Sequence, residues 1–259
     1  MNETSRTLYV GSVEKAFEVL QLFDINVLNL SLSEIVEQTS LNKSAAQRYV
    51  HTLEKLGYLF KNPDTKRYQL TIKNLFPASG YLNSNELIRI AAPHLVQLRL
   101  QLNARIGLSV LWEGRVVYLI ALQSSKEASQ YDYPGFNVPV YCTTSGRMFL
   151  TNNDVEENRD YLSKMERIER THTTKTDVDE ILACIATAKK QGFCTTDQEY
   201  RVGHLNMCVP VVHGINSIKA CIVCVVRNSE WSMQELEKSA LPKLQEASRL
   251  ISGGIKGKM

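Results

Sequence analysis

Apolar residues in the first third of the chain recur at helical spacing and are repeatedly interrupted by capping chemistry. Ala16, Phe17, Leu20 and Phe23 share one face of a first predicted helix, with Ser12 placed to cap it. Ser31 and Glu34 form an S-x-x-E capping box ahead of a short second helix carrying Ile35 and Val36. The break at 39–42 ends that helix, and Asn42 caps a third that stops at Gly57. Two strand-like pieces follow, 58–61 and 67–71, around the turn sequence Asn62-Pro63-Asp64-Thr65. Residues 74–84 mix Pro, Gly, Ser and Asn and read as a connection. A long helical pattern then carries Leu87, Ile90, Ala91, Leu95, Leu98 and Leu102, and Pro93 inside it predicts a kink or restart.

Beyond this point β-branched residues cluster. Strands are predicted at 106–113, 115–123, 193–198, 206–212 and 218–226, and helices at 144–151, 177–191 and 234–252. Residues 124–139 and 152–176 give no clear pattern. Strands adjacent in sequence favour antiparallel pairing, so the fold class is α+β. Three helices and a hairpin in that order predict an N-terminal winged helix-turn-helix over 1–75. A linker helix is expected over 76–92, and a second domain over 93–259.

Composition narrows the class. With 44% hydrophobic and 22% charged residues among 259, the chain is neither disordered nor fibrous. Its longest purely apolar runs, 116–122 and 220–226, are far short of the roughly 20 residues of a membrane span. The N-terminus shows no secretory pattern, so the six cysteines read as reduced thiols and the expected compartment is the cytoplasm. The net charge of +3 is uninformative as a total. By position it separates: residues 1–39 hold 2 Lys+Arg against 6 Asp+Glu, whereas residues 40–75 hold 7 against 2.

That basic segment contains the third helix. At 100° per residue, Ser44, Gln47, Arg48 and His51 fall within one arc, while Ala46, Tyr49, Val50, Leu53 and Leu56 lie opposite. Arg and Gln are the side chains that read guanine and adenine edges bidentately in the major groove. Asn42, Lys43 and Ser44 at the helix start suit phosphate contacts. A polar face alone is the default for a surface helix; the capped helix before it and the turn-rich hairpin after it make the pattern far more specific. Lys61, Lys66 and Arg67 on the hairpin fit phosphate contacts or, equally, protection of exposed strand edges.

Other chemistry is weak. Cys221-Ile-Val-Cys224 lies in a predicted strand, where residues three apart face opposite ways, so it does not read as a zinc or redox site. Cys142 has no nearby His or Asp pattern to activate it. The five histidines show no metal-ligand spacing, and no phosphate loop appears. No metal or cofactor is expected. An enzyme using Cys142 or Asp197, and a domain that only oligomerises, are the alternatives.

These stretches together resemble the IclR family of bacterial transcription regulators. SVEKAFEVLQLF (12–23) resembles its first helix, LSLSEIVEQTSLNKSAAQRYVHTLEKLGYL (30–59) its helix-turn-helix, and TKRYQLTIKNL (65–75) its wing. IAAPHLVQL (90–98), GFNVPVYCTTSGRMFL (135–150), GFCTTDQE (192–199) and MCVPV (207–211) resemble its linker junction and ligand domain. The resemblance implies a homodimer or dimer of dimers on a palindromic double-stranded operator, and a repressor. It also implies a GAF-like C-terminal domain, an antiparallel sheet flanked by helices, that senses an organic or sugar acid. Residue by residue it places recognition-helix contacts at Lys43, Ser44, Gln47 and Arg48; with Asn42, His51, Lys66 and Arg67 from the helix and wing pattern, these are the expected DNA contacts. It places the pocket loop at Thr143, Thr144 and Ser145 and further pocket positions at Thr196, Asn206, Val223 and Val225; Val138 and Asp197 complete the expected effector contacts. Thr196 stands where many members have Asp, with Asp197 on the opposite strand face. Asn206 replaces a Cys, and Val223 and Val225 replace serines, so a more apolar pocket wall is expected.

Overall fold

The structure, a computed structural model, describes residues 8–24, 27–125, 133–214 and 217–256. The chain separates into two compact units, Met1–Ser84 and Asn85–Met259.

The first unit runs α1 (Gly11–Leu20), α2 (Leu32–Gln38), α3 (Lys43–Lys55), β1 (Leu59–Lys61), β2 (Tyr68–Leu70), a 3-10 turn (Ile72–Asn74) and α4 (Leu75–Ser84). The caps of α2 and α3 form as their sequences dictate. Ser31 Oγ accepts from the Glu34 amide, Glu34 accepts from the Ser31 amide at 2.7 Å, and Asn42 Oδ1 accepts from the Ala45 amide at 2.9 Å. Helix α1 starts one residue before the expected cap: Val10 is its N-cap, without a side-chain bond, and Ser12 lies in its first turn. Residues 75–84, expected as a connection, form α4. Pro77 falls in its first turn, where the missing amide would have had no intrahelical partner.

Val19, Ile35, Ala46, Val50, Leu53, Leu59 and Tyr68 form the core that seats α3. Leu30 and Tyr68 exchange backbone bonds at 3.0 and 2.7 Å, which adds a third rung to the hairpin. Two polar ties close this unit. The Arg67 guanidinium donates to both carboxylate oxygens of Glu34 at 2.9 and 2.7 Å and to the Asn29 carbonyl at 3.2 Å. Glu18 of α1 accepts from Lys15 at 3.0 Å and from the Ser40 amide at 2.7 Å.

The second unit opens with α5 (Glu86–Leu102), capped by Asn85, whose side chain accepts from the Ile88 amide at 3.1 Å. The helix runs through Pro93 instead of restarting there; the break lies at Asn85. Pro93 is on the exposed face, where water can take the carbonyl it leaves unpaired. Then follow β3 (Arg105–Trp112), β4 (Arg115–Leu122), β5 (Asn137–Pro139), α6 (Thr144–Leu150), α7 (Val155–Lys164), α8 (Val178–Gln191), β6 (Cys194–Asp197), β7 (His204–His213), β8 (Ser217–Arg227), α9 (Met233–Ser239) and α10 (Leu241–Lys256). The six strands form one antiparallel sheet in the order β5-β4-β3-β8-β7-β6.

The sheet is buried on both faces. Ile106, Leu108, Met207, Val209, Ile222 and Cys224 pack with α5 and α10; Cys194, Cys208, Cys221 and Val223 pack with α6 and α8. Cys221 and Cys224 therefore point into different cores, as their spacing on a strand requires. The helix expected over 234–252 is two helices meeting at Ala240, because Pro242 cannot extend the helix before it. Strand β5 and helix α7 lie in the stretches that gave no clear pattern.

Helix α6 is buried along its whole length. Its close approach to the preceding segment depends on Gly146: a Cβ there would lie 2.1 Å from the Val140 carbonyl oxygen. Gly146→Ala is accordingly expected to destabilise the chain by about 1–3 kcal/mol in urea unfolding, the usual cost of overpacking. The Glu34 carboxyl is held at about 2 by the Ser31 amide first and the Arg67 guanidinium second. Because the folded value is lowered, this tie contributes stability above the ordinary carboxylate range and loses it as pH falls toward 2. A carbon-13 titration should place the Glu34 midpoint far below the ordinary value, and Arg67→Ala should raise it. An ordinary midpoint in the parent protein would mean that the tie does not form in solution.

Candidate functional site

Each unit presents one constellation of polar groups. In the first, Lys43, Ser44, Gln47, Arg48 and His51 are all exposed on α3, opposite the buried Ala46, Val50 and Leu53. Leu56, grouped with the seat on periodicity, is instead the C-cap and is half exposed. Asn42 is exposed, but its Oδ1 is committed to the cap.

The wing cations differ in what they touch. Lys66 is at the hairpin tip, with φ of 59° and its ammonium 2.5 Å from the Pro63 carbonyl oxygen. Lys61 lies over the Tyr68 ring at 5.2 Å. Arg67, expected at a DNA contact, has its guanidinium turned onto Glu34 and Asn29. A carboxylate at hydrogen-bond distance offers it a better local partner than solvent, so its geometry is that of a strut between wing and α2.

In the second unit a cleft opens on the α6 face of the sheet. Its floor is one cross-strand row. Arg105 pairs with Val225, Val225 with Asn206, and Asn206 with Thr196, so β3, β8, β7 and β6 each place one side chain on the same line. The Asn206 amide donates to Thr196 Oγ1 at 3.2 Å. One wall is Cys142, Thr143 and Thr144, leading into α6; the other is Tyr200 and Arg201 after β6. Tyr118, Phe136, Val138 and His204 complete the lining. The Tyr118 and Phe136 rings lie 5.9 Å apart at 34°. Tyr118 can lie against β3 because of Gly107, where a Cβ would meet its ring at 2.7 Å. Burial pushes the Tyr118 hydroxyl far above its ordinary value and the Cys142 thiol up to about 11, so both stay protonated near neutral pH.

The structure thus brings six of the expected effector residues into the cleft: Val138, Thr143, Thr144, Thr196, Asn206 and Val225. Three fall elsewhere. Ser145 is buried below, where its Oγ accepts from Ser109 at 2.9 Å. Asp197 is exposed, on the strand face opposite Thr196. Val223 packs into the core under α6 and lines only a smaller neighbouring depression. Arg105, Tyr118, Phe136, Tyr200, Arg201 and His204 were not singled out from the sequence. Residue alternation could have placed Arg105 with Val225 once the strand register was known, but no local signal marks it.

Behind the walls is a buried ion pair. Arg147 donates to Glu199 through both terminal nitrogens, at 2.7 and 2.5 Å, and to the Tyr141 carbonyl at 2.9 Å. Glu199 also accepts from the Lys175 amide at 3.2 Å.

Known proteins support this division. The family model for the bacterial transcriptional regulator IclR C-terminal domain matches residues 79–253, and that for the IclR helix-turn-helix domain matches residues 12–63. The chain is 29% identical over 242 residues to the Pca regulon regulatory protein of Pseudomonas putida, covering 93% of this chain and 82% of that one. It is 26% identical over 245 residues to the p-hydroxybenzoate hydroxylase transcriptional activator of Acinetobacter baylyi, covering 93% and 90%. The IclR transcriptional regulator of Alicyclobacillus acidocaldarius shares the fold with a TM-score of 0.80 at 24% identity, over 95% and 99% of the two chains. An IclR homolog from Microbacterium hydrocarbonoxydans, complexed with 4-hydroxybenzoate, does so with a TM-score of 0.74 at 20% identity, over 94% and 98%. No helix among the described residues is long and apolar enough to cross a membrane. With an exposed polar helix face in one unit, a cleft in the other and both family domains matched in order, this chain belongs to the IclR family of DNA-binding transcription regulators.

Proposed function

We propose that the protein is a cytoplasmic repressor that binds a palindromic operator as a homodimer or dimer of dimers and is controlled by an aromatic carboxylic acid in the cleft. The observation that carries the DNA reading is the exposed row Lys43, Ser44, Gln47, Arg48 and His51 on a helix seated by three buried apolar residues. Arg48 and Gln47 supply the bidentate groups that distinguish bases, and Lys43, Ser44 and Lys66 supply phosphate contacts.

The lining of the cleft favours a flat organic anion over a sugar acid. Arg105, Arg201 and His204 line it, and none of the described lining residues is acidic. Tyr118, Phe136 and Tyr200 offer ring surfaces, and Thr143 and Thr144 offer hydroxyls. The relative named for p-hydroxybenzoate hydroxylase, and the homolog complexed with 4-hydroxybenzoate, fit the same class. Binding rather than bond-making suits the protonated Cys142 thiol. The ligand acts on DNA binding only as far as its affinity differs between the two arrangements of the assembly.

Arg48→Ala should weaken binding to an operator selected from random DNA by about 1–3 kcal/mol and relax the preference at one position. Lys66→Ala should weaken all sequences alike and reduce the salt slope by about 1. Fluorescence anisotropy across a salt series reads both; unchanged affinity and preference in Arg48→Ala would remove α3 as the reading element. For the cleft, 4-hydroxybenzoate should raise the melting temperature more than gluconate does. Gly107→Ala, which drives the Tyr118 ring off its seat, should abolish that difference. A larger shift with gluconate would reverse the assignment of ligand class.

A further inference from the structure

Arg147 and Glu199 line no cleft, yet each is fixed to one of its walls. Arg147 donates to the carbonyl of Tyr141, the residue before the lining run Cys142-Thr143-Thr144. Glu199 immediately precedes the lining pair Tyr200-Arg201. The bidentate bond between them, with both side chains nearly inaccessible, therefore spans from wall to wall behind the cleft.

A second tie runs through the segment between α7 and α8. The Tyr141 hydroxyl donates to the Ile168 carbonyl at 2.6 Å and accepts from the Ile168 amide at 3.0 Å. Further along that segment, Thr171, Thr173 and Thr174 donate to the carbonyls of Gln198, Asp197 and Glu199 at 2.8, 3.0 and 2.6 Å. The Lys175 amide donates to the Glu199 carboxylate, and the Arg170 guanidinium lies 5.0 Å from the centre of the Tyr200 ring. The result is a closed ring of polar contacts: Tyr141 to Ile168, along the segment to Lys175, to Glu199, to Arg147 and back to Tyr141.

A buried ion pair is not the most stabilising way to fill such a space, since apolar residues of similar volume often do as well or better. What the pair supplies is directional. Two parallel N–H···O bonds fix the guanidinium and carboxylate planes relative to each other, and the bonds to the Tyr141 carbonyl and from the Lys175 amide tie that fork to the backbone, which apolar contacts do not do. Resting on the reading of the cleft as the effector site, we infer that Arg147 and Glu199 are positioning residues that set the separation of the cleft walls and thereby the affinity for a carboxylate effector.

The test uses the full-length protein and calorimetric titration with 4-hydroxybenzoate. Glu199→Gln alone leaves a buried guanidinium without its counter-charge and is expected to compromise folding. The informative variant is the double replacement Arg147→Met with Glu199→Leu, which keeps the volume and removes both charges. It should melt within a few degrees of the parent and bind the acid at least tenfold more weakly. Arg147→Lys, which keeps the charge and loses the fork, should fall between the two. Equal affinity in parent and double variant would overturn the inference. If the parent itself binds no 4-hydroxybenzoate, that counts against the effector reading, and amide hydrogen exchange of the double variant against the parent then decides whether the pair positions the walls. Faster exchange at Thr143, Thr144, Tyr200 and Arg201, with β3 and β8 unchanged, supports it; uniform or unchanged exchange overturns it.

Discussion

The C-terminal unit depends on a sheet that is covered on both faces. Burial on both sides leaves no place for an unpartnered polar side chain, so strands β3, β7 and β8 are nearly continuous apolar runs. Where the covering helices leave the α6 face open, the rule relaxes, and there the polar residues gather. Arg105, Asn206 and Thr196 stand in one row across four strands, with Val225 between them. The cleft is thus a gap in the packing of one layer. Its polarity follows from that gap, and its shape is fixed by the glycines that let neighbouring groups come close. Gly146 brings α6 against the Val140 backbone to make one wall, and Gly107 lets the Tyr118 ring lie flat on β3.

The DNA-reading unit is much smaller and obeys a different constraint. Its ten-residue buried core can hold three short helices in place only if their ends are fixed as well. The caps at Ser31 and Asn42 do this for α2 and α3. The ties from Glu18 to Ser40 and from Glu34 to Arg67 do it for α1 and the wing. Glu34 serves two of these devices, accepting from the Ser31 amide and from Arg67 at once. One carboxylate therefore fixes both the start of α2 and the attitude of the hairpin, while the polar face of α3 stays exposed. The acidic balance of residues 1–39 supplies these anchoring carboxylates, and of the basic excess of 40–75, Lys43, Arg48, Lys55 and Lys66 are exposed while Lys61, Arg67 and Lys73 lie against protein groups.

Much of the local structure was legible in advance. Capping sequences, the Asn62-Pro63 turn and the β-branched clusters of β7 and β8 each specify their element through neighbours a few residues away. The misses share a cause. Helix α4 was hidden because Pro and Gly read as a linker, although a proline in a first turn costs no hydrogen bond. Helix α7 carries a capping box, Asp154 with Glu157, but its outward face is too polar for periodicity to reveal. Arg67 looked like its neighbour Lys66. Only the fold shows that Glu34, far away in sequence, is within reach of it.

The sequence by itself determined the order of elements, the class of fold, the two-faced character of α3 and the family. All of these rest on local propensity, periodicity and motif spacing. The tertiary structure alone decided which side chains share the cleft. Membership there depends on strand register, on which face of the sheet α6 covers, and on backbone approaches that a glycine permits without announcing. Arg105 and Arg201 are ordinary surface residues by every local criterion, and Asp197 and Ser145 looked like site residues. A shift of one position along a strand reverses the facing of a side chain, so strand pairing assigned Arg105 to the cleft and Asp197 to solvent, while the packing of α6 buried Ser145 and the segment after β6 brought Arg201 to the cleft.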